Sequence, residues 1–344
     1  HLYFPGKRNL LFRVTYFHRR INLEMFHVLA DGTGGFIFLT HILKYYIVEK
    51  YGLNAEDIVL GDSSAAEKEK DAFKHFYEGK KEQKKNNRMK LRRNYLKEMF
   101  PEKAYQLQGD KDENLRQHLL EGTLSTQKLL EASHKYNATI GVFLTSLYIK
   151  AILQEMPVHE RRRKIIVSLP VNLRQYFPSS TTRNFFSAVQ IIFNPEKFDG
   201  TLESVIAEVK RLFAENLSEE RIFATMNSYA ALEHNYAIKM TPLFLKYIAI
   251  RSFNYWMKRG VTTSLSNVGK VDIPKKMEPY VDKFVSFMAG RTAFICISTF
   301  KDRTVVGVAT CFTNHEVFRH LFRELIRQGI PVELATNDYD VEEG

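Results

Sequence analysis

Only two cysteines occur in the 344 residues, Cys296 and Cys311, and both fall inside apolar, strand-like runs. That placement excludes a disulfide framework and predicts buried thiols. Nowhere do His, Cys and carboxylate residues gather at the spacing of metal ligands, so no metal is expected. No apolar run reaches membrane-spanning length, and no basic stretch followed by an apolar one opens the chain. No membrane span is therefore expected, and the protein is read as cytoplasmic. Internal repeats are absent. What is present is an ordinary globular composition, 44% hydrophobic, with enough chain for two medium domains with real cores.

The formal charge of +11 invites a nucleic-acid reading. Much of the basic density lies between Lys80 and Lys103, where acidic residues are mixed in, as in a solvated helix or connector. No nucleic-acid-binding motif surrounds it, so no nucleic-acid partner is expected. A basic surface equally suits coenzyme A or an acidic carrier protein. A nucleic-acid or membrane-surface binder using Lys80 to Lys103 stands as the rival reading, testable by salt-dependent binding.

The chain is organised around Phe26-His27-Val28-Leu29-Ala30-Asp31-Gly32-Thr33-Gly34-Gly35. Before it, Asn9 to Phe17 and Ile21 to His27 read as antiparallel strands joined at His18-Arg19-Arg20. After it, Phe36 to Tyr51 has helical apolar spacing, with Gly52 as C-cap. His27 is thus expected at a strand end and Asp31-Gly32 in a glycine-rich turn ahead of the helix. A neutral imidazole there is a natural general base, because its ordinary pKa lies close to working pH. Asp31 is expected to turn away and fix the loop through a cationic partner. Taken alone, a histidine at a strand end is more often structural, and Asp-Gly is a common turn.

From Ala55 to Asp112 the chain is charge-rich and aperiodic, which reads as a mobile or helical linker. A new unit starts near Leu115. Ser125 and Thr139 are N-cap candidates for helices to about Tyr136 and about Glu155, the second apolar almost all round and therefore buried. Ile165 to Leu169 reads as an internal strand, Pro170 to Gln175 as a turn and Thr182 to Phe193 as a long strand. Helical stretches follow from Leu202 to about Lys258. Further strands are expected at Thr262 to Gly269, Val281 to Ala289, Arg291 to Phe300 and Thr304 to Phe312, with Lys301-Asp302-Arg303 as a hairpin turn, before a closing helix from His315 to Gln328.

His27-Val28-Leu29-Ala30-Asp31-Gly32 matches the HxxxDG signature of the chloramphenicol acetyltransferase-like superfamily, which includes condensation domains, plant BAHD acyltransferases and alcohol acetyltransferases. Leu169-Pro170-Val171-Asn172-Leu173-Arg174, followed by Arg183-Asn184-Phe185-Phe186, resembles the family's strand whose arginine pairs with the motif aspartate. Ser264-Leu265-Ser266-Asn267-Val268-Gly269 resembles its Ser-Asn-Leu-Gly turn. The chain resembles stand-alone bacterial alcohol acetyltransferase-like proteins most closely, with one motif histidine where condensation domains usually carry two, and without the BAHD DFGWG motif.

The resemblance implies an α/β (α+β) fold of two lobes, each a mixed sheet flanked by helices. Residues 1–104 would form the N-terminal lobe with the motif and the charged linker, lacking the family's opening strand and helix; residues 105–344 would form the C-terminal lobe. It also implies an acyltransferase acting in an interlobe channel. A thioester, acyl-coenzyme A or an acyl carrier, would be co-substrate rather than bound cofactor, and a small alcohol or amine the acceptor. His27 would be the general base, and Asp31 would pair bidentately with Arg174 as a structural salt bridge. Gly32, Ser264 and Asn267 belong to the motif turns. Ser266, with Ser264 on the same strand face as second choice, would donate to the oxyanion, a backbone amide being the fallback. The alternative is a non-catalytic, degenerate condensation-like binding protein.

Overall fold

The computed structural model describes residues 6, 9–61, 64–76, 103–233 and 239–337. The chain clusters into two units, the first made of His1–Tyr77, Asn172–Ser187 and Val271–Asp282, the second of Glu78–Val171, Ala188–Lys270 and Lys283–Gly344.

In the first unit, Phe12–Phe17 (β1) and Arg20–Met25 (β2) form an antiparallel hairpin with Phe17 paired to Arg20, so the loop is His18-Arg19. His18 takes a left-handed conformation (φ 50°) to make so short a turn. Helix α1 (Gly32–Tyr51) follows and ends at Gly52, whose φ of 65° closes a C-terminal cap on the Val48 carbonyl. Two short helices, α2 (Ala65–Lys68) and α3 (Ala72–Phe76), lie in the stretch expected to be linker. The described part of that stretch is packed: Ile58 and Ala72 are buried, and Phe73 and Phe76 meet the ring of Phe185. Residues 271–282 join this unit through a Lys276–Asp57 ion pair at 3.0 Å and a Tyr51–Tyr280 ring contact.

The second unit is built on a mixed seven-stranded sheet of order β5-β4-β6-β7-β8-β3-β9. Its strands are β3 (His118–Ser125), β4 (Ile165–Asn172), β5 (Phe186–Phe193), β6 (Thr263–Lys270), β7 (Phe294–Phe300), β8 (Arg303–Thr310) and β9 (Glu333–Thr336). β6 runs parallel to both β4 and β7, while β8 and β3 are antiparallel to their neighbours. Helices α4 (Thr126–Lys135), α5 (Ile140–Glu155), α6 (Leu202–Asn216) and α9 (Glu316–Arg327) cover one face; α7 (Glu219–Glu233) and α8 (Leu243–Arg259) lie between α6 and β6 in the chain. Ser125 caps α4 on Lys128 and Thr139 caps α5 on Val142. α5 is apolar almost all round and is buried accordingly, with Phe143, Leu147 and Ile149 in the same core as Leu265, Ile295, Ile297, Val306 and Val308 of the sheet.

Two expectations need correction. β4 runs on through Pro170 and Val171 to Asn172, and residues 182–185 precede β5 without joining it. The run 281–289 pairs with no strand among the described residues. It crosses the sheet face opposite the helices instead: Ser298 Oγ donates to the Phe284 carbonyl at 2.8 Å, and a Cβ on Gly307 would sit 2.5 Å from the Ser286 carbonyl oxygen. The Phe284 carbonyl is thus engaged by the sheet's face rather than by an edge. β3 and β9 carry weak sequence signals and do not figure among the expected strands. β3 holds Glu121, buried and ion-paired with Lys283, and Gly122, where a Cβ would lie 2.3 Å from the Phe322 ring. A charge and a glycine in mid-strand mask an apolar run.

Both thiols are free and buried. Cys311 donates to the Arg291 carbonyl at 3.2 Å, and burial pushes the Cys296 thiol up to about 12. Cys296, whose reactive thiolate is disfavoured, and Cys311, enclosed by packing, should both resist alkylation by iodoacetamide at neutral pH in the native protein, while unfolded protein takes two labels. Intact mass after timed labelling reads this directly; rapid native labelling of either residue would contradict the packing.

Candidate active site

His27 stands two residues beyond the end of β2, in a turn closed by the Leu29 N–H on the Phe26 carbonyl (2.9 Å), rather than at the strand end itself. Its side chain is exposed and faces the Phe186 ring, centroids 5.6 Å apart. No residue among those described hydrogen-bonds to either ring nitrogen. The histidine is held by its backbone instead: Asn184 Nδ2 donates to the His27 carbonyl at 2.9 Å.

The glycine-rich segment after it is the first turn of α1, not a loop before a later helix. Asp31 is the N-cap, with extended backbone, and its Oδ1 accepts the Gly34 N–H at 3.0 Å. A carboxylate at this position satisfies an orphan N–H and meets the positive end of the helix dipole. Gly32, at the first helical position, is exposed. Gly34 is demanded by contact, since a Cβ there would lie 2.0 Å from the Thr182 carbonyl oxygen.

Asp31 also reaches across the unit to Arg174. Its Oδ2 accepts from Arg174 Nη1 at 2.7 Å and from the Phe185 N–H at 2.8 Å, and the two side chains are only 7% and 10% exposed. The pair is joined through one nitrogen, not bidentately. The remaining guanidinium donors are spent elsewhere: Nη1 on Asn172 Oδ1 (3.1 Å), Nε on the Thr181 carbonyl (3.0 Å), and Nη2 on the carbonyls of Thr181 (2.9 Å) and Arg183 (2.7 Å). Every N–H of the guanidinium therefore has an acceptor, which is what a buried cation requires. The loop 173–185 is wrapped around one side chain.

Asn172 and Asn184 are two residues of this lattice to which the sequence pattern alone assigns no role. Asn172 Nδ2 donates to Thr33 Oγ1 at 3.2 Å while its Oδ1 accepts from Arg174, so it ties the first turn of α1 to the arginine. Thr181, also buried, donates to the Lys70 carbonyl at 2.8 Å and anchors the α2–α3 stretch to the same loop.

Ser264, Ser266 and Asn267 belong to the second unit. They lie within β6 rather than in a turn beyond it, and Leu265 between the serines points into the core. Alternation puts both serines on the opposite face, where Ser168 of β4 is the register neighbour of Ser264. Neither Ser264 nor Ser266 hydroxyl is hydrogen-bonded among the described residues. Asn267 serves the strand's own geometry. Its Oδ1 accepts the Gly269 N–H at 3.0 Å across a register shift where Gly269 adopts φ 81°, a β-bulge that bends the strand. No group of three or more His, Cys, Asp and Glu side chains converges among the described residues. The basic stretch Lys80 to Lys103 lies, except for Lys103 itself, outside the described residues.

No protein-family model and no curated protein matches the chain. Solved structures do. The epimerization domain from the third module of tyrocidine synthetase B aligns at 11% identity and a TM-score of 0.54, over 90% of this chain and 67% of that one. Polyketide synthase associated protein 5 from Mycobacterium tuberculosis aligns at 11% and 0.56, over 95% and 78%. The trichothecene 15-O-acetyltransferase from Fusarium sporotrichioides aligns at 12% and 0.54, over 90% and 65%. At such identities the likeness is one of fold: a mixed α/β architecture with a large mixed sheet flanked by helices, the chloramphenicol acetyltransferase-like fold.

The lattice around Arg174 predicts a stability hierarchy. Arg174→Met strands the buried Asp31 carboxylate and should cost about 3–5 kcal/mol in urea unfolding. Arg174→Lys should recover only part, because an ammonium cannot span the same fork of acceptors. Gly34→Ala should cost about 1–3 kcal/mol through its clash with the Thr182 carbonyl. Wild-type midpoints for all three variants would refute the arrangement.

Proposed function

We propose that this protein is an acyltransferase that moves an acyl group from a thioester, acyl-coenzyme A or an acyl carrier, to an alcohol or amine acceptor, with His27 as general base. The observation that carries the reading is the pairing of an exposed imidazole, its ring nitrogens unoccupied among the described residues, with a backbone locked in place by Asn184 and by the Asp31–Arg174 lattice. The fold shared with an acetyltransferase structure adds support.

In this reading His27 takes the proton of the acceptor as its oxygen or nitrogen attacks the thioester carbonyl. The tetrahedral oxyanion collapses, the carbon–sulfur bond breaks, and the imidazolium returns its proton to the leaving thiolate. Ser266, or failing it Ser264, donates a hydrogen bond to the oxyanion; both hydroxyls are available because no described residue engages them. The aspartate and arginine stay out of the chemistry, since their hydrogen-bonding capacity is committed to the loop.

Incubation with a panel of acyl-coenzyme A donors and of alcohol and amine acceptors, read by mass spectrometry and thiol release, tests the activity. His27→Ala should lower turnover by about 10²–10⁴ with unfolding unchanged. Ser266→Ala should lower it by about 10²–10³ with donor affinity nearly intact. Binding of donor without transfer, unaltered by either substitution, would leave a non-catalytic binding protein.

A further inference from the structure

Helix α8 (Leu243–Arg259) breaks the rule that an apolar helix is a buried one. Leu243, Phe244, Tyr247, Ile248, Ile250 and Tyr255 are each 53–83% exposed, and at 3.6 residues per turn they share one face of about 160° of the helix circumference. Among its described side chains only Lys246 is partly covered. An apolar helix of this kind is stable in water only when something covers it.

The charges say what covers it. From residue 234 to residue 271 the chain contains no Asp or Glu, while Lys239, Lys246, Arg251, Lys258 and Arg259 all fall on or beside the helix. A second copy of the same helix would set cation against cation with no carboxylate to answer. An anionic lipid surface offers what both features need, an apolar boundary for the aliphatic and aromatic side chains and negative headgroups for the lysines and arginines. Tyr247, Tyr255 and Trp256 are of the type that settles at headgroup level. Spanning is not the mode. No single described helix is long and apolar enough to cross a membrane. The 17 residues of α8 reach about 25 Å, less than a bilayer core.

We propose that α8 is a membrane-surface element that lies in the interface of anionic bilayers. This reading is independent of the acyl-transfer proposal. The chain supplies its own reporter, because Trp256 is its single tryptophan. Mixed phosphatidylcholine/phosphatidylglycerol vesicles should sediment the full chain and shift its tryptophan emission to the blue, with brominated lipid quenching it; pure phosphatidylcholine should do so at least about tenfold more weakly. Raising salt from about 0.05 to about 0.5 M should weaken the anionic binding. Leu243→Asp with Ile250→Asp, and separately Lys239→Glu with Arg251→Glu, should each abolish sedimentation while leaving thermal unfolding unchanged, since these side chains are exposed. Absence of binding to anionic vesicles at low salt would overturn the proposal. So would binding that survives both variants, or a dimer in solution that only Leu243→Asp with Ile250→Asp dissolves.

Discussion

The first unit depends on one buried cation. Arg174 arrives from the end of β4, and its guanidinium collects acceptors from Asp31, Asn172, Thr181 and Arg183. A charge of this kind is costly to bury unless each donor is matched, and here each one is. The consequence is a shape: loop 173–185 curls round the guanidinium, which brings the Thr182 carbonyl against Gly34 and the Asn184 amide against the His27 carbonyl. A single side chain thereby sets the path of the histidine turn, the entry of α1 and the packing of Phe185.

This division of labour keeps the histidine free. The groups most capable of perturbing an imidazole, a carboxylate and a guanidinium, are consumed by each other and by backbone, while among the described residues the His27 ring meets only the Phe186 ring and its carbonyl accepts from Asn184. In the proposed reading, a fixed backbone presents to the acceptor a ring with no polar partner among the described residues, and the acceptor itself supplies the first one. The same economy holds in β6, where Asn267 is spent on the bulge at Gly269 and the serine hydroxyls are not.

What is legible in the sequence is what local chemistry decides. The caps at Ser125, Thr139 and Gly52, the short loop before Arg303 and the buried character of α5 follow from neighbours a few residues apart, and each stands where the pattern puts it. Asp31 shows the limit: Asp-Gly with further glycines reads as a turn, yet the aspartate is an N-cap and the helix starts at once. Gly34 looks like a flexible residue and is in fact a residue with no room beside it. The Asp31–Arg174 pair is legible only through resemblance, and the parts played by Asn172 and Asn184 not at all, because their partners lie more than a hundred residues away. Segment 281–289 misleads for a related reason: alternation reports burial on one side, and a strap laid over a sheet has the same alternation as a strand in it.

The discontinuity of the first unit bears on how the chain folds. Its three pieces are separated by nearly a hundred residues in one place and more than eighty in the other. The hairpin and α1 precede in sequence the arginine loop that closes over Asp31, which follows the first strands of the second unit, and the 271–282 segment that meets Asp57 and Tyr51 comes later still. Closing such long loops pays its entropy before any contact returns it, so the contacts that complete this unit carry a loop-closure cost that the local helices of the second unit do not. The histidine turn therefore waits for Asn184, 157 residues further along the chain, before its backbone is fixed.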